Sequence, residues 1–256
     1  MCGRFVSASP PDQIAAYFSA TEVSEQALES NWNVAPTSDV YVVVQDGGVR
    51  RVTTRHWGLV PFWAKEAKVG NRMINARAET VATSGAFKRA FAKRRCLVPA
   101  DGFYEWQRVP GRKNKQPYFI HRPDGEPFAF AGLWEVWRPK DDDGADEEGA
   151  EPLRSTTIIT TSANEEMARI HDRMPVILPP SAWDAWLDPE NDDLETLGQL
   201  LVPAPPALTI LRPVSTDVNN VRNQGPHLTD AIPEGSASDA TPALFDGSEP
   251  RAAGSA

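Results

Sequence analysis

The sequence contains few cysteines and no long hydrophobic run, and each absence excludes a class of protein. Two cysteines in 256 residues cannot form a disulfide framework, so a reducing compartment is expected. No run approaches the roughly 18 apolar residues of a membrane-spanning helix. The first residues also lack the basic and then apolar layout of a signal peptide. We therefore expect a cytoplasmic protein that does not associate with membranes.

Several catalytic motifs are missing as well. The chain has no glycine-rich phosphate loop, no Gly-x-Ser-x-Gly turn, no His-Glu-x-x-His pair and no paired Cys-x-x-Cys. A nucleotide hydrolase, a serine hydrolase and a zinc enzyme are therefore without support. We expect neither a metal ion nor a cofactor.

Acidic residues are concentrated in two segments of the sequence. The formal net charge is −9, but residues 139–151 carry −6 and residues 230–256 carry −4. Residues 1–138 hold 19 basic and 13 acidic side chains, a net charge of +6. Binding to an anionic partner such as DNA therefore remains open despite the acidic total.

Strand and helix patterns mix without a regular βαβ rhythm, which predicts an α+β fold. We expect one domain over residues 2–229, built on a curved, largely antiparallel sheet that resembles an open barrel and has peripheral helices. Residues 139–151 form an inserted acidic loop, and the acidic tail 230–256 has the composition of a disordered segment. Turns at Asp46-Gly47-Gly48 and Asp124-Gly125 predict two hairpins, and residues 80–95 predict a long helix.

Cys2 is the most informative single position. Removal of the initiator methionine before a small residue would leave an α-amine and a thiol on adjacent carbons. Their reference pKa values are about 7.7–8.0 and about 8.5, so both nucleophiles are partly available near neutral pH. Such a 1,2-aminothiol condenses with an aldehyde to an imine, which the thiol closes to a thiazolidine. On position alone, an incidental cysteine at a frayed terminus is the simpler interpretation.

A series of short blocks resembles the SRAP family, named for SOS-response-associated peptidases and including proteins that shield abasic sites in DNA. The blocks lie in the family's order and cover about residues 2–225. They include Met1-Cys-Gly-Arg-Phe5, Asn33-Val-Ala-Pro36, Trp57-Gly-Leu-Val-Pro61, Ile74-Asn-Ala-Arg-Ala-Glu-Thr80, Cys96-Leu-Val-Pro-Ala-Asp-Gly-Phe-Tyr-Glu-Trp106, Ala131-Gly-Leu-Trp134, Thr160-Thr-Ser-Ala-Asn164, His171-Asp-Arg-Met-Pro175 and Val221-Arg-Asn-Gln-Gly225. Each block alone is weak, whereas the ordered set is specific.

The resemblance implies an SRAP-like fold and recognition of an abasic site in single-stranded DNA or at a single-strand/double-strand junction. In the family, the processed N-terminal cysteine bonds to the ring-opened sugar aldehyde and leaves a stable DNA–protein crosslink. Cys2 occupies that position here. We expect a monomer that acts beside the nucleoid, and the sequence identifies no protein partner.

Three further side chains are candidates for catalysis. Glu105 lies between aromatic residues, and strand alternation would place it opposite Tyr104 and Trp106. A raised pKa there would suit proton transfer during ring opening and imine formation, although an exposed strand glutamate is commoner. His171 can relay protons near neutral pH, and Asn75 can orient the amine or the opened sugar. Both residue types are also common in purely structural roles.

Five residues are candidates for DNA contact. Arg4, Arg77 and Arg173 adjoin the catalytic blocks, and guanidinium groups bind phosphate bidentately. Thr160 can add a hydroxyl contact. Trp63 ends an apolar stretch that begins at Val60, and its ring can stack on unpaired bases.

Two other functions compete with the covalent abasic-site sensor. In a cysteine peptidase, Cys2 would be the nucleophile, with His171 and either Glu105 or Asn75 completing the set. Only Met1 precedes Cys2 in this sequence, so self-processing would release little. The other alternative is a module that binds single-stranded DNA or a replication partner without chemistry. A nick through the imine, as in a β-lyase, and hydrolysis of the crosslink are possible side activities of the sensor.

Overall fold

The computed structural model describes residues 2–24, 26–111, 113–141, 145–147 and 149–232. Strands within these ranges are β1 (Phe5–Ser7), β2 (Glu22–Val23), β3 (Asn31–Val34), β4 (Asp39–Asp46), β5 (Val49–Trp57), β6 (Asn75–Arg77), β7 (Arg95–Ala100), β8 (Gly102–Gln107), β9 (Gln116–His121), β10 (Phe128–Trp137), β11 (Leu153–Ser162), β12 (Arg173–Pro175) and β13 (Ile210–Pro213). The α-helices are α1 (Pro11–Tyr17), α2 (Lys88–Lys93), α3 (Trp183–Leu187) and α4 (Leu194–Gln199). Short 3₁₀ turns cover Ala67–Arg72, Met167–Arg169, Pro180–Ala182, Pro206–Leu208, Thr216–Asn219 and Pro226–Thr229.

The strands form two sheets. One has the order β13-β9-β8-β1-β3, and the other has the order β12-β11-β10-β7-β4-β5-β2, with β6 beside β11. Most neighbours are antiparallel. β11 also pairs in parallel with β5, so the larger sheet is strongly curved. The predicted α+β class and antiparallel character are confirmed, with two sheets in place of the single one expected.

The alternation of side chains along β4 explains how the larger sheet is covered on both faces. Val42 points into a core shared with the smaller sheet, where Phe5 and Phe103 contribute aromatic rings. Its neighbour Val43 points into a second core with the helices, which contribute residues such as Trp186. The cores therefore lie between the two sheets and beneath the helices.

Two predictions about local structure were wrong. The basic stretch 80–95 is helical only over α2, because 78–87 is mostly turns and β7 begins at Arg95. The Asp124-Gly125 turn does not form a hairpin, because β9 and β10 on either side of it belong to different sheets. The hairpin at Asp46-Gly47-Gly48 is confirmed, with β4 and β5 paired from Asp46↔Val49 outward.

The acidic loop is partly described. Lys140 forms an isolated bridge with Asp146, whose carboxylate also lies 3.8 Å from Arg138 Nε. Most of the predicted acidic tail lies outside the described residues, which end at 232. In the described part of the chain, no helix has the length and hydropathy needed to cross a membrane.

Candidate functional site

The pairing of β1 with β8 determines the position of Cys2. The Tyr104 backbone N–H donates to the Arg4 carbonyl at 2.9 Å, so the chain ahead of β1 continues antiparallel to β8. Continued in this register, Gly3 lies opposite Glu105 and Cys2 is one residue further on, close enough for the charge of Glu105 to raise the pKa of the Cys2 thiol. The Cys2 side chain is fully buried.

The alternation of side chains along β8 places Glu105 on the same side as Cys2. Phe103 packs in the core cluster that contains Cys2, whereas Tyr104 packs with Phe119 in a separate cluster. Glu105 shares the orientation of Phe103, since residues two apart on a strand face the same way. This is the orientation that the sequence predicts.

Burial changes the acid–base properties of both groups. Glu105 is 3% exposed, and burial raises the pKa of its carboxyl group to about 7. Burial also raises the pKa of the Cys2 thiol, and the negative charge of Glu105 raises it further. The thiol is therefore neutral at pH 7, which differs from the partly ionised thiol expected from reference values. Any reaction at sulfur here requires a base, and Glu105 is placed to exchange protons near neutral pH.

Asn75 begins β6, which pairs in parallel with β11. Its Nδ2 donates to the Ile158 carbonyl at 3.4 Å. Its Oδ1 is buried and accepts no hydrogen bond from the described residues. Ile74, immediately before it, packs against the core cluster that contains Cys2. Asn75 thus offers an unused acceptor near that cluster.

His171 follows a 3₁₀ turn whose first residue, Met167, packs in the Cys2 cluster. Its Nδ1 accepts the Arg173 backbone N–H at 3.0 Å and lies 2.8 Å from an Asp172 carboxylate oxygen. The first contact needs an unprotonated Nδ1 and the second a protonated one. We assign the first, because the backbone donor is fixed while Asp172 is exposed, and burial lowers the pKa of His171. The neutral ring then carries its proton on Nε2.

His171 and two of the candidate arginines line a common cleft of 530 Å³. Arg77 reaches it from β6 and Arg173 from β12, and β11 lies between these strands. Thr160 of β11 pairs with Arg77 on one side and Pro175 on the other. The structure therefore brings together side chains that are far apart in the sequence.

Hydrogen bonds link Thr160 and Arg173. The Thr160 side chain is fully buried, and its hydroxyl donates to the Ala76 carbonyl at 3.4 Å. Its carbonyl accepts a bond from Arg173 Nη2 at 2.7 Å. The Thr160 hydroxyl oxygen also accepts from Arg173 Nη2 at 3.4 Å, so Thr160 positions Arg173, and a contact between its hydroxyl and DNA stays a prediction.

Glu79 is a site residue that sequence reasoning missed. Arg173 Nη1 donates to Glu79 Oε1 at 2.5 Å, and Nη2 donates to Oε2 at 3.0 Å. These bonds lower the pKa of Glu79. In the sequence, the position of Glu79 two residues after Arg77 was the available sign of a role at the site. That position does not show that Glu79 pairs with Arg173, which lies 94 residues further along the chain.

Arg4 lies away from the cleft. Its Nη1 donates to Asn33 Oδ1 at 2.7 Å and to the Val218 carbonyl at 3.0 Å, and its guanidinium lies 5.7 Å from the Trp106 ring centroid. Arg4 and Cys2 are two residues apart, yet their side chains pack in different surroundings. A DNA contact by Arg4 stays a prediction.

Trp63 and Phe62 form an exposed aromatic pair. Trp63 is 51% exposed and Phe62 is 42% exposed, whereas Val60 at the start of the stretch is buried. The Arg89 guanidinium of α2 lies 4.3 Å from the Phe62 ring centroid. Exposed aromatic rings beside a basic helix are suited to stacking on unpaired bases.

Among the described residues, no group of histidine, cysteine and acidic side chains is arranged to hold a metal ion.

Comparisons with known proteins agree with this arrangement. A model of the SRAP family, described as SOS response associated peptidase, matches residues 1–221. The Bacillus subtilis protein named abasic site processing protein YoqW is 40% identical over 232 residues, which cover 90% of this chain and 100% of that protein. The Gallus gallus protein named abasic site processing protein HMCES is 36% identical over 204 residues, covering 71% of this chain and 57% of that protein.

Solved structures show the same fold. A protein from Bacteroides thetaiotaomicron superposes with a TM-score of 0.76 at 24% identity, covering 90% of this chain and 100% of that one. One from Bordetella bronchiseptica gives a TM-score of 0.67 at 26% identity, covering 84% and 100%. The family match spans most of the chain and includes Cys2, Glu105 and His171. The chain therefore belongs to the SRAP family.

Proposed function

We propose that this protein processes abasic sites in DNA by forming a covalent crosslink through Cys2. The observation that carries the proposal is the burial of Cys2 beside a carboxyl group, Glu105, whose pKa is about 7. The names of the relatives support abasic sites as the substrate. The 530 Å³ cleft, lined by Arg77 and Arg173, is suited to the phosphates that flank the lesion.

The chemistry requires that Met1 be removed, which frees the Cys2 amine. The amine attacks the aldehyde carbon of the ring-opened sugar and forms a hemiaminal. Protonated Glu105 donates a proton to the departing hydroxyl, so water leaves and an iminium ion remains. The Glu105 carboxylate then accepts the thiol proton as the sulfur bonds to the iminium carbon, which returns Glu105 to its protonated form and leaves a neutral ring nitrogen. The product is a thiazolidine, and its mass is protein plus DNA minus one water.

Three further side chains have separate tasks in the proposed reaction. Asn75 offers its unused Oδ1 to the amine or to a sugar hydroxyl. His171, with its proton on Nε2, donates to an oxygen of the opened sugar. Trp63 stacks on a base next to the lesion, which favours single-stranded DNA or a junction over an intact duplex. We expect the protein to act as a monomer near the nucleoid.

A cysteine peptidase is the second candidate, because the family description includes that activity. Peptidase cysteines react as thiolates and have lowered pKa values. Burial and the Glu105 charge raise the pKa of Cys2 instead. An amine that reacts first does not need a preformed thiolate, so the observed environment favours aldehyde capture.

Denaturing gels with a labelled single-stranded oligonucleotide that carries one abasic site test the proposal. The untagged protein should give a slowly migrating covalent band with this DNA and none with the intact sequence. Cys2→Ser keeps the amine but cannot form a thiazolidine, so its adduct should be labile to heat. A fused N-terminal tag that blocks the amine should abolish the band. A heat-stable adduct with the tagged protein would refute the mechanism.

A further inference from the structure

The cleft is electrically balanced even though two arginines line it. Glu79 and Asp172 supply two negative charges opposite Arg77 and Arg173. His171 adds no charge in its neutral form. DNA backbones bind through unpaired basic groups that replace the counterions of phosphates. As it stands, the cleft therefore has little net attraction for a strand.

Glu79 occupies the position on Arg173 that a phosphate would take. Its two carboxylate oxygens bind the two terminal nitrogens of the guanidinium, the same forked geometry that a phosphate uses. The Thr160 carbonyl also accepts a hydrogen bond from Nη2 of this guanidinium and so helps to fix its position. The side chain of Arg173 is 18% exposed and that of Glu79 is 52% exposed. Glu79 is therefore the partner that can swing away, while Arg173 stays in place.

We propose that Glu79 is a specificity-determining residue that competes with DNA phosphates for Arg173. This inference rests on the proposed function, because the cleft must lie along the bound strand. An undamaged strand must displace Glu79 using noncovalent contacts alone. A strand captured at Cys2 is tethered, and its flanking phosphate then has a high effective concentration at Arg173. Glu79 thus weakens binding to intact strands, whereas a strand captured at Cys2 stays bound through its covalent bond.

The Glu79→Gln variant tests this proposal. Glutamine keeps the size of the side chain but removes the charge, and the exposed position should preserve folding, which thermal melting checks. Binding of an undamaged oligothymidine is measured by fluorescence anisotropy at several salt concentrations. Affinity should rise about two- to fivefold, as expected for release of an exposed ion pair. The slope of log K against log salt should steepen by about 0.7, or one phosphate contact on a single strand.

Glu166→Gln is the matched control. Glu166 forms an exposed pair with Arg169 at 3.1 Å, but neither residue lines the cleft. This variant should bind with the wild-type salt slope. Adding Arg173→Ala to Glu79→Gln should cancel the gain, because the competition acts at that guanidinium.

The outcomes separate the two proposals. If Glu79→Gln binds intact DNA no more tightly than the wild type, or with an unchanged slope, the competition does not occur. If it binds more tightly but the wild type forms no covalent band with abasic DNA, Glu79 guards a DNA cleft and the Cys2 mechanism fails. If both hold, the ratio of crosslinked to intact-strand complexes should be lower for Glu79→Gln than for the wild type.

Discussion

The Glu105 carboxyl group and the Cys2 thiol are buried beside each other, and the charge of Glu105 raises the pKa of the thiol. A thiol that stays protonated is a poor nucleophile in isolation. It is compatible with an order of events in which the amine reacts first and the thiol closes the ring. Glu105 then has to donate one proton during dehydration, and a pKa of about 7 permits this at neutral pH.

Glu105→Gln should slow crosslinking by about 10²- to 10⁴-fold, the usual contribution of a positioned acid or base. The wild-type rate should decline as pH rises through about 7, because the carboxyl group loses the proton that it donates. That decline should be absent in the variant. Rates come from quenched time courses on denaturing gels, with DNA affinity measured separately. An unchanged rate with unchanged affinity would remove Glu105 from the mechanism.

The difference in stability between Glu105→Gln and the wild type should depend on pH, because the buried carboxyl group of the wild type ionises near pH 7. The pKa of Glu105 is raised in the folded protein, so its stabilising contribution is complete below the unfolded pKa and is lost as pH rises through about 7. The shift corresponds to about 3 kcal/mol. The free energy of unfolding of Glu105→Gln, relative to the wild type, should increase by that order between pH 4 and pH 8. Urea titrations measure it, and a constant difference would contradict the burial effect.

Arg77→Ala should weaken DNA binding equally for different sequences. Arg77 is an exposed side chain on the wall of the cleft, where it can bind a backbone phosphate of DNA without contacting a nucleobase. The salt slope should flatten by about 0.7 for one lost phosphate contact. Arg154→Ala, an exposed arginine that lines a different pocket, serves as the control. A loss confined to one sequence would point to base recognition instead.

Trp63→Ala should reduce affinity for single-stranded DNA by about 1–3 kcal/mol, the value of one aromatic–base stack. Stability should change little, since half of the side chain is already exposed. Val202→Ala removes a comparably exposed apolar side chain elsewhere and should leave affinity unchanged. Equal binding by Trp63→Ala and the wild type would exclude the stacking role.

Local patterns in the sequence predicted the parts of this structure that depend on neighbouring residues. The turn at Asp46-Gly47-Gly48 defined the β4–β5 hairpin, and alternation gave the orientation of Glu105. The helix predicted over 80–95 was too long, because the spacing of apolar residues does not show the turns that precede α2. The Asp124-Gly125 turn was misleading because turn residues do not reveal which sheet the next strand joins.

Pairings between distant segments could not be predicted from the sequence. The cleft exists because β6 and β12 both pair with β11, which brings Arg77 close to Arg173. The ion pair with Glu79 follows from that topology. Arg4 shows the opposite limitation. It lies two residues from Cys2 in the sequence, yet its side chain bonds Asn33.

Intact mass spectrometry tests the central claim most directly. The untagged protein is weighed under denaturing conditions before and after incubation with a single-stranded oligonucleotide that carries one abasic site. We expect a chain that lacks Met1, followed by a species with the mass of protein plus DNA minus one water. A chain that lacks Met1 and forms no such species would contradict covalent capture by Cys2.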